Sequence, residues 1–409
     1  MPNDDKYRID SGRVSKSNKT LFIFVGALIL AAAIAVAIAV PIALNSNVKT
    51  NLETANEILD KYPIIDGHND WAWQFRDNLQ NVINNISLWD DLTEVYPDSH
   101  TDIPRLKKGK VGAQFWACFV HCNSAHKDAV RQGLEQMDMI RRFIEAYSDT
   151  FQFATTAKDI EDANAAGKIA SLIGVEGGHM IDSSLAALRM YYALGARYMT
   201  LTHSCDTPWA DASNRNYSNG GLTDFGKRVV AEMNRIGILV DISHVSDQTM
   251  KDVFSVTTAP VIYSHSSARH LCDHVRNVPD DILQLLKENN GIIMINFYND
   301  YVTCSTTANT TDVADHFDYI KSLIGVEYLG FGADYDGVTR VPTGLEDVST
   351  YPNLVAELLK RGWTEDELRM ITRDNLLRVL RKAESVARPS NDPDETWISA
   401  SSVNYPCRT

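Results

Sequence analysis

The chain has 409 residues, a formal net charge of −14, 44% apolar residues and 22% charged residues. That apolar fraction supports a sizeable buried core and excludes a disordered chain, while the acidic balance, with no cluster of Lys and Arg, excludes nucleic acid as a partner. Length alone suggests two or three domains, yet α/β barrels commonly exceed about 250 residues as one unit, so a single large domain is allowed.

Residues 21–44 carry no charge and are rich in Leu, Ile, Val and Ala. About 20 helical residues cross a bilayer core, and the apolar stretch of a cleavable signal peptide is shorter, roughly 7–15 residues. The segment is therefore expected to be a transmembrane signal anchor behind a cytosolic tail over residues 1–20. Lys6, Arg8, Arg13, Lys16 and Lys19 precede it, and only Lys49 follows closely. The positive-inside rule then places everything beyond about residue 45 outside the cytosol, as in a single-pass type II membrane protein. Cleavage near the Ala-rich end, giving a secreted form, is the alternative. On the outer side Asn85, Asn216 and Asn309 each open an Asn-x-Ser/Thr acceptor for glycosylation, and six cysteines suit an oxidising compartment.

Residues 45–61 read as a polar stalk, 62–385 as one domain and 386–409 as a tail. Within the domain, short runs rich in β-branched or aromatic residues fall at 64–65, 114–120, 170–175, 198–202, 238–242, 261–264, 292–297 and 329–332. Each is short and mainly apolar, as parallel strands covered on both faces are expected to be. Helical patterns separate most of them, at 128–147, 184–194, 222–236, 247–254, 279–289, 312–323 and 354–361, with a last helix running through a Thr364/Glu367 capping box to Arg381. Alternation at this count predicts a (β/α)8 barrel of the TIM type; periodicity alone leaves a doubly wound sheet open.

Barrel chemistry gathers at the carboxyl ends of the strands. Six of the eight predicted strands end in polar groups: His68-Asn69-Asp70, Glu176, His203, His244, His265 and Asp334-Tyr335-Asp336. Imidazoles and carboxylates hold Zn²⁺ at about 2.0–2.2 Å. A lone strand-end histidine is usually just a hydrogen-bonded residue at the rim. Four of the chain's 11 histidines at such ends, beside carboxylates, point to a metal centre. His179 and Asp336 read as supporting residues; His270, His274 and His316 read as surface groups.

The stretches Ile65-Asp-Gly-His-Asn-Asp70, Val111-Gly-Ala-Gln-Phe-Trp116, Gly174-Val-Glu-Gly-Gly178, Arg197-Tyr-Met-Thr-Leu-Thr-His203, Asp241-Ile-Ser-His-Val-Ser246 and Asn296-Phe-Tyr298 resemble the membrane (renal-type) dipeptidases, over residues 64–379. The resemblance implies a zinc dipeptidase with two Zn²⁺ ions, one held by His68, Asp70 and Glu176, the other by Glu176, His244 and His265. A hydroxide bridging such a pair attacks the peptide bond of a small dipeptide, Cys-Gly conjugates included. His203 would contact the substrate carbonyl, Asp334 would move protons, and Arg276 with Tyr301 would face the terminal carboxylate. Related barrel hydrolases use a carbamylated lysine and His-x-His; Glu176 and His68-x-Asp70 separate this chain from them.

The resemblance also implies disulfides Cys122–Cys205 and Cys272–Cys304, and a homodimer bridged by Cys407. Cys118, inside a strand, reads as a buried thiol. The chain departs from the family pattern in lacking an apolar C-terminal tail for a lipid anchor, and in carrying Asp374 where glycine is usual. A different amidohydrolase, such as a lactonase or deacetylase, and an inactive surface receptor are the competing readings. Arg276 with Tyr301 argues against the first, and the complete ligand set against the second.

Overall fold

In the computed structural model, which describes residues 24–25, 27–34, 49–214, 218–388 and 393–395, the strands are β1 (Ile64–Asn69), β2 (Val111–Phe119), β3 (Phe151–Phe153), β4 (Ile169–Glu176), β5 (Ala196–Thr200), β6 (Leu239–Asp241), β7 (Ile262–Tyr263), β8 (Ile292–Ile295) and β9 (Leu329–Phe331). They lie in the order β2-β1-β9-β8-β7-β6-β5-β4, all parallel, and a β2–β4 pairing closes the ring. This is the (β/α)8 barrel, with every predicted strand in place. The short β3 was not foreseen. It lies outside the ring, where Phe151–Phe153 run beside the start of β4 before β5 takes over that edge from Ile173 onward.

Strand alternation sorts the core into two layers. Ala113, Phe115, Ala170, Leu172, Tyr198, Leu239, Ile262, Ile292 and Met294 form one buried layer. Their chain neighbours Trp116, Cys118, Ile173, Val175, Met199, Val240, Tyr263, Ile293 and Ile295 pack outward with the helices. The same period of two sets Glu176 in line with Leu172, and Asp241 in line with Leu239, so the inward face turns from apolar to polar at the strand ends. Gly174 lies on this face because a Cβ there would stand 1.9 Å from the Tyr198 ring.

The covering helices follow the expected pattern, from Ala129–Ala146 to Tyr351–Lys360. Thr364 and Glu367 close the anticipated capping box. The last helix departs from its reading: residues Met370–Asp374 form a π turn before the α-helix resumes as Asn375–Val386. Asp374 lies in that turn and pairs with Arg369 at 3.0 Å.

Three further expectations are revised. Residues 51–61 do not belong to the expected 45–61 stalk, because Asn51–Lys61 is a helix that packs on Tyr351–Lys360 and buries Ala55, Ile58 and Leu59. Its apolar positions at i, i+3 and i+4 make a narrow stripe inside an otherwise polar segment. His316 is not a surface group; it is fully buried, accepting at Nδ1 from the Ala268 N–H and donating from Nε2 to the Val302 carbonyl. His274 is half-buried, its ring 4.6 Å from Tyr301, whereas His270 is exposed as expected.

Residues up to 50 and those from Asn51 on are separate units. In the first, residues 24–25 and 27–34 are helical. Among the described residues no helix is long and apolar enough to cross a membrane; much of the 21–44 segment lies outside them, as do Asn216, Cys407 and most of the tail.

The Asn51–Lys61 helix as part of the fold has a measurable consequence. Leu59→Ala leaves a cavity at a fully buried position and should cost about 2–4 kcal/mol. Urea unfolding checks this; a neutral result would return the segment to a stalk.

Candidate active site

His68, Asp70, Glu176, His203, His244, His265 and Asp334 gather at one mouth of the barrel, whereas Asn69 and Tyr335 turn away, to Thr101 and to the Leu345 carbonyl. Glu176 stands at the centre. Its Oε1 lies 3.1 Å from His244 Nε2 and 3.6 Å from His265 Nε2, while its Oε2 lies 3.5 Å from His68 Nε2. His68 Nε2 is also 3.1 Å from Asp70 Oδ2 and 3.9 Å from Asp334 Oδ1. The two oxygens of one carboxylate thus face ligand-type atoms on two sides, His68 on one and His244 with His265 on the other. Such atoms from His68, Glu176 and His265, from Glu176, His203 and His244, and from His68, Asp70 and Asp334 all fall within metal-sharing distance of one another.

Short turns after the strands aim these side chains. His244, Asp334 and Asp336 have φ of 67°, 68° and 65°, a left-handed conformation that His and Asp tolerate better than most residues and that concentrates at functional sites. Two buried carboxylates brace the turns. Asp66 accepts from the His68 N–H at 2.7 Å, the Ala333 N–H at 3.0 Å and the Tyr351 hydroxyl at 2.5 Å. Asp241 accepts from the Ser243 and Ser264 N–H groups, each at 3.0 Å. Each carboxylate therefore ties its own turn to the turn of a neighbouring strand. Sequence reasoning quoted both positions inside motifs without seeing this role.

The electrostatics suit a cation. Burial first, then neighbouring positive groups, holds His244 and His265 well below the usual imidazole range, so both are neutral at pH 7 and keep a lone pair. Their Nε2 atoms are only 2.8 Å apart. Burial pushes the Asp70 carboxyl up against the lowering effect of His68, and pushes Asp334 up to about 7. Three carboxylates (Asp70, Glu176 and Asp334) and four imidazoles (His68, His203, His244 and His265) gather their ligand-type atoms in one cluster, a donor set that divalent cations suit. The donor set, nitrogen plus carboxylate oxygen, fits zinc.

A cavity of about 830 Å³ opens over this cluster. On the β7–β8 side stand Arg276 and Tyr301, the guanidinium 5.3 Å over the Tyr301 ring. Arg276 is buried, donating to the His265 carbonyl at 3.2 Å and the Ser266 hydroxyl at 3.4 Å, and among the described residues its Nε has no hydrogen-bond partner. His203 lines the cavity with Nε2 3.8 Å from Glu176 Oε1; burial, then Arg276, lowers it to about 3, so it is neutral. Asp334 accepts from Asn296 Nδ2 at 2.8 Å.

The opposite wall was missed in the sequence. Trp73 meets Phe119 and His121 edge to face at 5.0 and 4.7 Å, and Tyr96, Asp98 and His100 continue the lining. Phe119 closes β2, where the barrel rule could have flagged it, and Trp73 lies in the first turn of the helix Trp71–Leu79 that follows β1, but aromatic residues at such places read as core. Asp336 exchanges two hydrogen bonds with His100, at 2.8 and 2.9 Å, and so supports this wall.

Disulfides Cys122–Cys205 and Cys272–Cys304 are both formed, and Cys118 is a buried free thiol whose pKa burial raises. Because Cys122 and Cys205 are bonded to each other, the neighbouring His179 has no thiolate partners for a metal; it donates to the Val120 carbonyl at 3.0 Å and supports the wall from behind. Asn85 is exposed, and so is Asn309, which caps the helix Thr310–Ile324.

A family profile described as membrane dipeptidase (Peptidase family M19) matches residues 52–394. The chain is 48% identical over 341 residues to dipeptidase 3 of Homo sapiens, covering 82% of this chain and 68% of that one. It is 45% identical over 347 residues to dipeptidase aclJ of Aspergillus oryzae, covering 82% of each. Among solved structures, a metallo peptidase from Rhodobacter sphaeroides liganded with a phosphinate mimic of the dipeptide L-Ala-D-Ala superposes with a TM-score of 0.71 at 26% identity, covering 78% of this chain and 99% of that one. A dipeptidase AC gives 0.73, also at 26% identity, covering 79% and 99%.

The raised Asp334 carboxyl has a definite signature in metal-free protein. Its folded pKa of about 7 lies above the ordinary 3.8, so the fold favours the protonated form and stability falls as pH rises between those values. Asp334→Asn removes that loss. The chelated variant should be more stable than the chelated parent at pH 8, by on the order of 1–4 kcal/mol, and the two should converge near pH 3. Urea unfolding at both pH values reads the difference; equal stability at pH 8 would contradict a buried, disfavoured charge.

Proposed function

The chain belongs to the membrane dipeptidase family, Peptidase family M19, and from that premise we propose how its residues divide the work of a metal-dependent dipeptidase. Two zinc ions share the site, one on His68, Asp70 and Glu176, the other on Glu176, His244 and His265. The observation that carries this reading is the split of the Glu176 carboxylate, one oxygen toward His68 and the other toward His244 and His265. When bound, such a pair supplies a Lewis acid and an acidified water at neutral pH.

The chain's own groups do the rest. Neutral His203 donates from its ring to the substrate carbonyl oxygen as negative charge gathers there. Asp334, at the cavity beside the ligand cluster, takes a proton from the attacking water and delivers it to the leaving amine. Arg276, with Tyr301 beside it, binds the free carboxylate of the second residue, which a planar guanidinium can grip through two N–H groups. Its partnerless Nε supports that role. The phosphinate mimic of L-Ala-D-Ala in the related bacterial enzyme supports small dipeptides as the substrate class, and the roomy aromatic wall at Trp73 and Phe119 suits bulky first residues such as cysteinyl conjugates. No observation favours a lactonase, a deacetylase or an inactive receptor.

We further propose that residues 21–44 anchor the enzyme in the membrane with the catalytic unit outside the cytosol. The support is the uncharged run and the five basic residues before it. Asn85, Asn216 and Asn309 would then carry glycans, and Cys407 would bridge two subunits. Carbonate extraction of membranes, glycosidase treatment and non-reducing electrophoresis test these points; a soluble, unglycosylated, monomeric product from a eukaryotic host would reject them.

Metal analysis and dipeptide assays test the site. Glu176→Ala should lose most of both metals and all measurable hydrolysis; retention of a full complement of zinc with activity would reject the shared carboxylate.

For substrate recognition, Arg276→Met should lower kcat/KM on a free dipeptide at least about tenfold, since a charge-assisted hydrogen bond contributes roughly 1.5–3 kcal/mol, with zinc content unchanged. A dipeptide amide should be a poor substrate for the parent and little worse for the variant. If the parent cleaves amide and acid equally fast, Arg276 does not read the carboxylate.

A further inference from the structure

We propose that Ser264 and Tyr198 set the ring tautomers of His265 and His68, so that each histidine presents a bare Nε2 to the metal centre. This rests on the reading above that those Nε2 atoms are ligands.

The Ser264 hydroxyl has one proton and two close partners. Asp241 Oδ2 lies at 2.6 Å and His265 Nδ1 at 2.8 Å. Asp241 already receives the Thr200 hydroxyl at 2.7 Å on the same oxygen and two backbone N–H groups on the other. A carboxylate offers only lone pairs. The Ser264 proton is therefore committed to Asp241, and the second contact is closed by a proton on His265 Nδ1. The nearest competing hydroxyl, Ser243, is 3.5 Å away and too long to divert it. His265 is left with its lone pair on Nε2, which lies 2.8 Å from His244 Nε2 and 3.6 Å from Glu176 Oε1.

Tyr198 repeats the logic with different residues. Its single proton goes to the Gly67 carbonyl at 3.1 Å, so the 2.9 Å contact with His68 Nδ1 is donated by the ring. The bare Nε2 then faces Asp70 and Glu176. His68, Tyr198, Asp241 and Ser264 are wholly buried and His265 nearly so, which leaves no water to reverse either relay. Gly174 belongs to the device: a side chain there would displace the Tyr198 ring. Ser264 and Tyr198 are positioning residues that touch neither substrate nor metal.

Asp241→Asn separates this role from packing. The amide oxygen can still accept the two backbone N–H groups, but the amide nitrogen now donates to Ser264. Ser264 must then donate to His265 Nδ1, and the ring proton moves to Nε2, where it blocks the ligand position. In chelator competition on the full chain with Zn²⁺, Asp241→Asn should bind the weaker-held zinc tenfold to a hundredfold less tightly, the range for such supporting partners. Ser264→Ala, which frees the ring without inverting it, should lose less than Asp241→Asn. Adding Asp241→Asn to Ser264→Ala should change affinity by less than about twofold, because the relay is already cut. Additive losses, or an affinity for Asp241→Asn equal to the parent's, overturn the proposal. Should Asp241→Asn fail to fold, Tyr198→Phe keeps the ring and removes only the acceptor; a tenfold weaker zinc affinity supports the relay and an unchanged one refutes it. A parent protein that takes up no zinc at all would instead overturn the metal assignment on which the relay rests.

Discussion

The Glu176 carboxylate, buried at the end of β4 with one oxygen toward His68 and the other toward His244 and His265, is the contact on which the rest of the site depends. Burying that many ligand atoms costs free energy unless something positive sits among them. The fold commits to this cost with fully buried strand ends and turns in left-handed conformations. Its return is a site whose geometry is set before any ion arrives, since His68, Glu176 and His265 are held by β1, β4 and the turn after β7, elements that are themselves locked in the ring.

A second layer of carboxylates makes that locking possible. Asp66 and Asp241 each accept backbone N–H groups from their own turn and from a neighbouring one. They act on ligand placement without entering the cavity. The cavity itself is divided by charge and chemistry, with the cationic Arg276 on the β7–β8 side and the aromatic Trp73 and Phe119 near β1 and β2. On the proposed reading, a dipeptide carries its α-carboxylate toward one wall and its first side chain toward the other, so the division would orient it across the site before any bond breaks.

Much of this was legible from the chain alone, for an identifiable reason. Parallel strands covered on both faces are mainly apolar, which is why all eight barrel strands stood out, and barrel chemistry lies at their carboxyl ends, which is why His68, Asp70, Glu176, His203, His244, His265 and Asp334 did too. Elements with weak local signals escaped. β3 has only three residues, and Asn51–Lys61 buries just three of its eleven side chains, so its polar majority read as a stalk. His316 was misplaced because a single histidine in an amphipathic helix does not reveal which face it is on.

The order of the strand-end residues along the chain, and their chemical types, were determined by the sequence, because ligand chemistry is a property of individual side chains and the barrel's period fixes where each must emerge. What only the tertiary structure decided is how those groups share atoms. That one carboxylate faces two ligand sets, that Tyr198 reaches His68 across 130 residues of chain, and that the Ser264 proton is taken by Asp241 all depend on distances of about 3 Å between segments with no fixed spacing in sequence. Hydrogen bonds and metal bonds are decided at that scale, and only ring closure brings those segments to it.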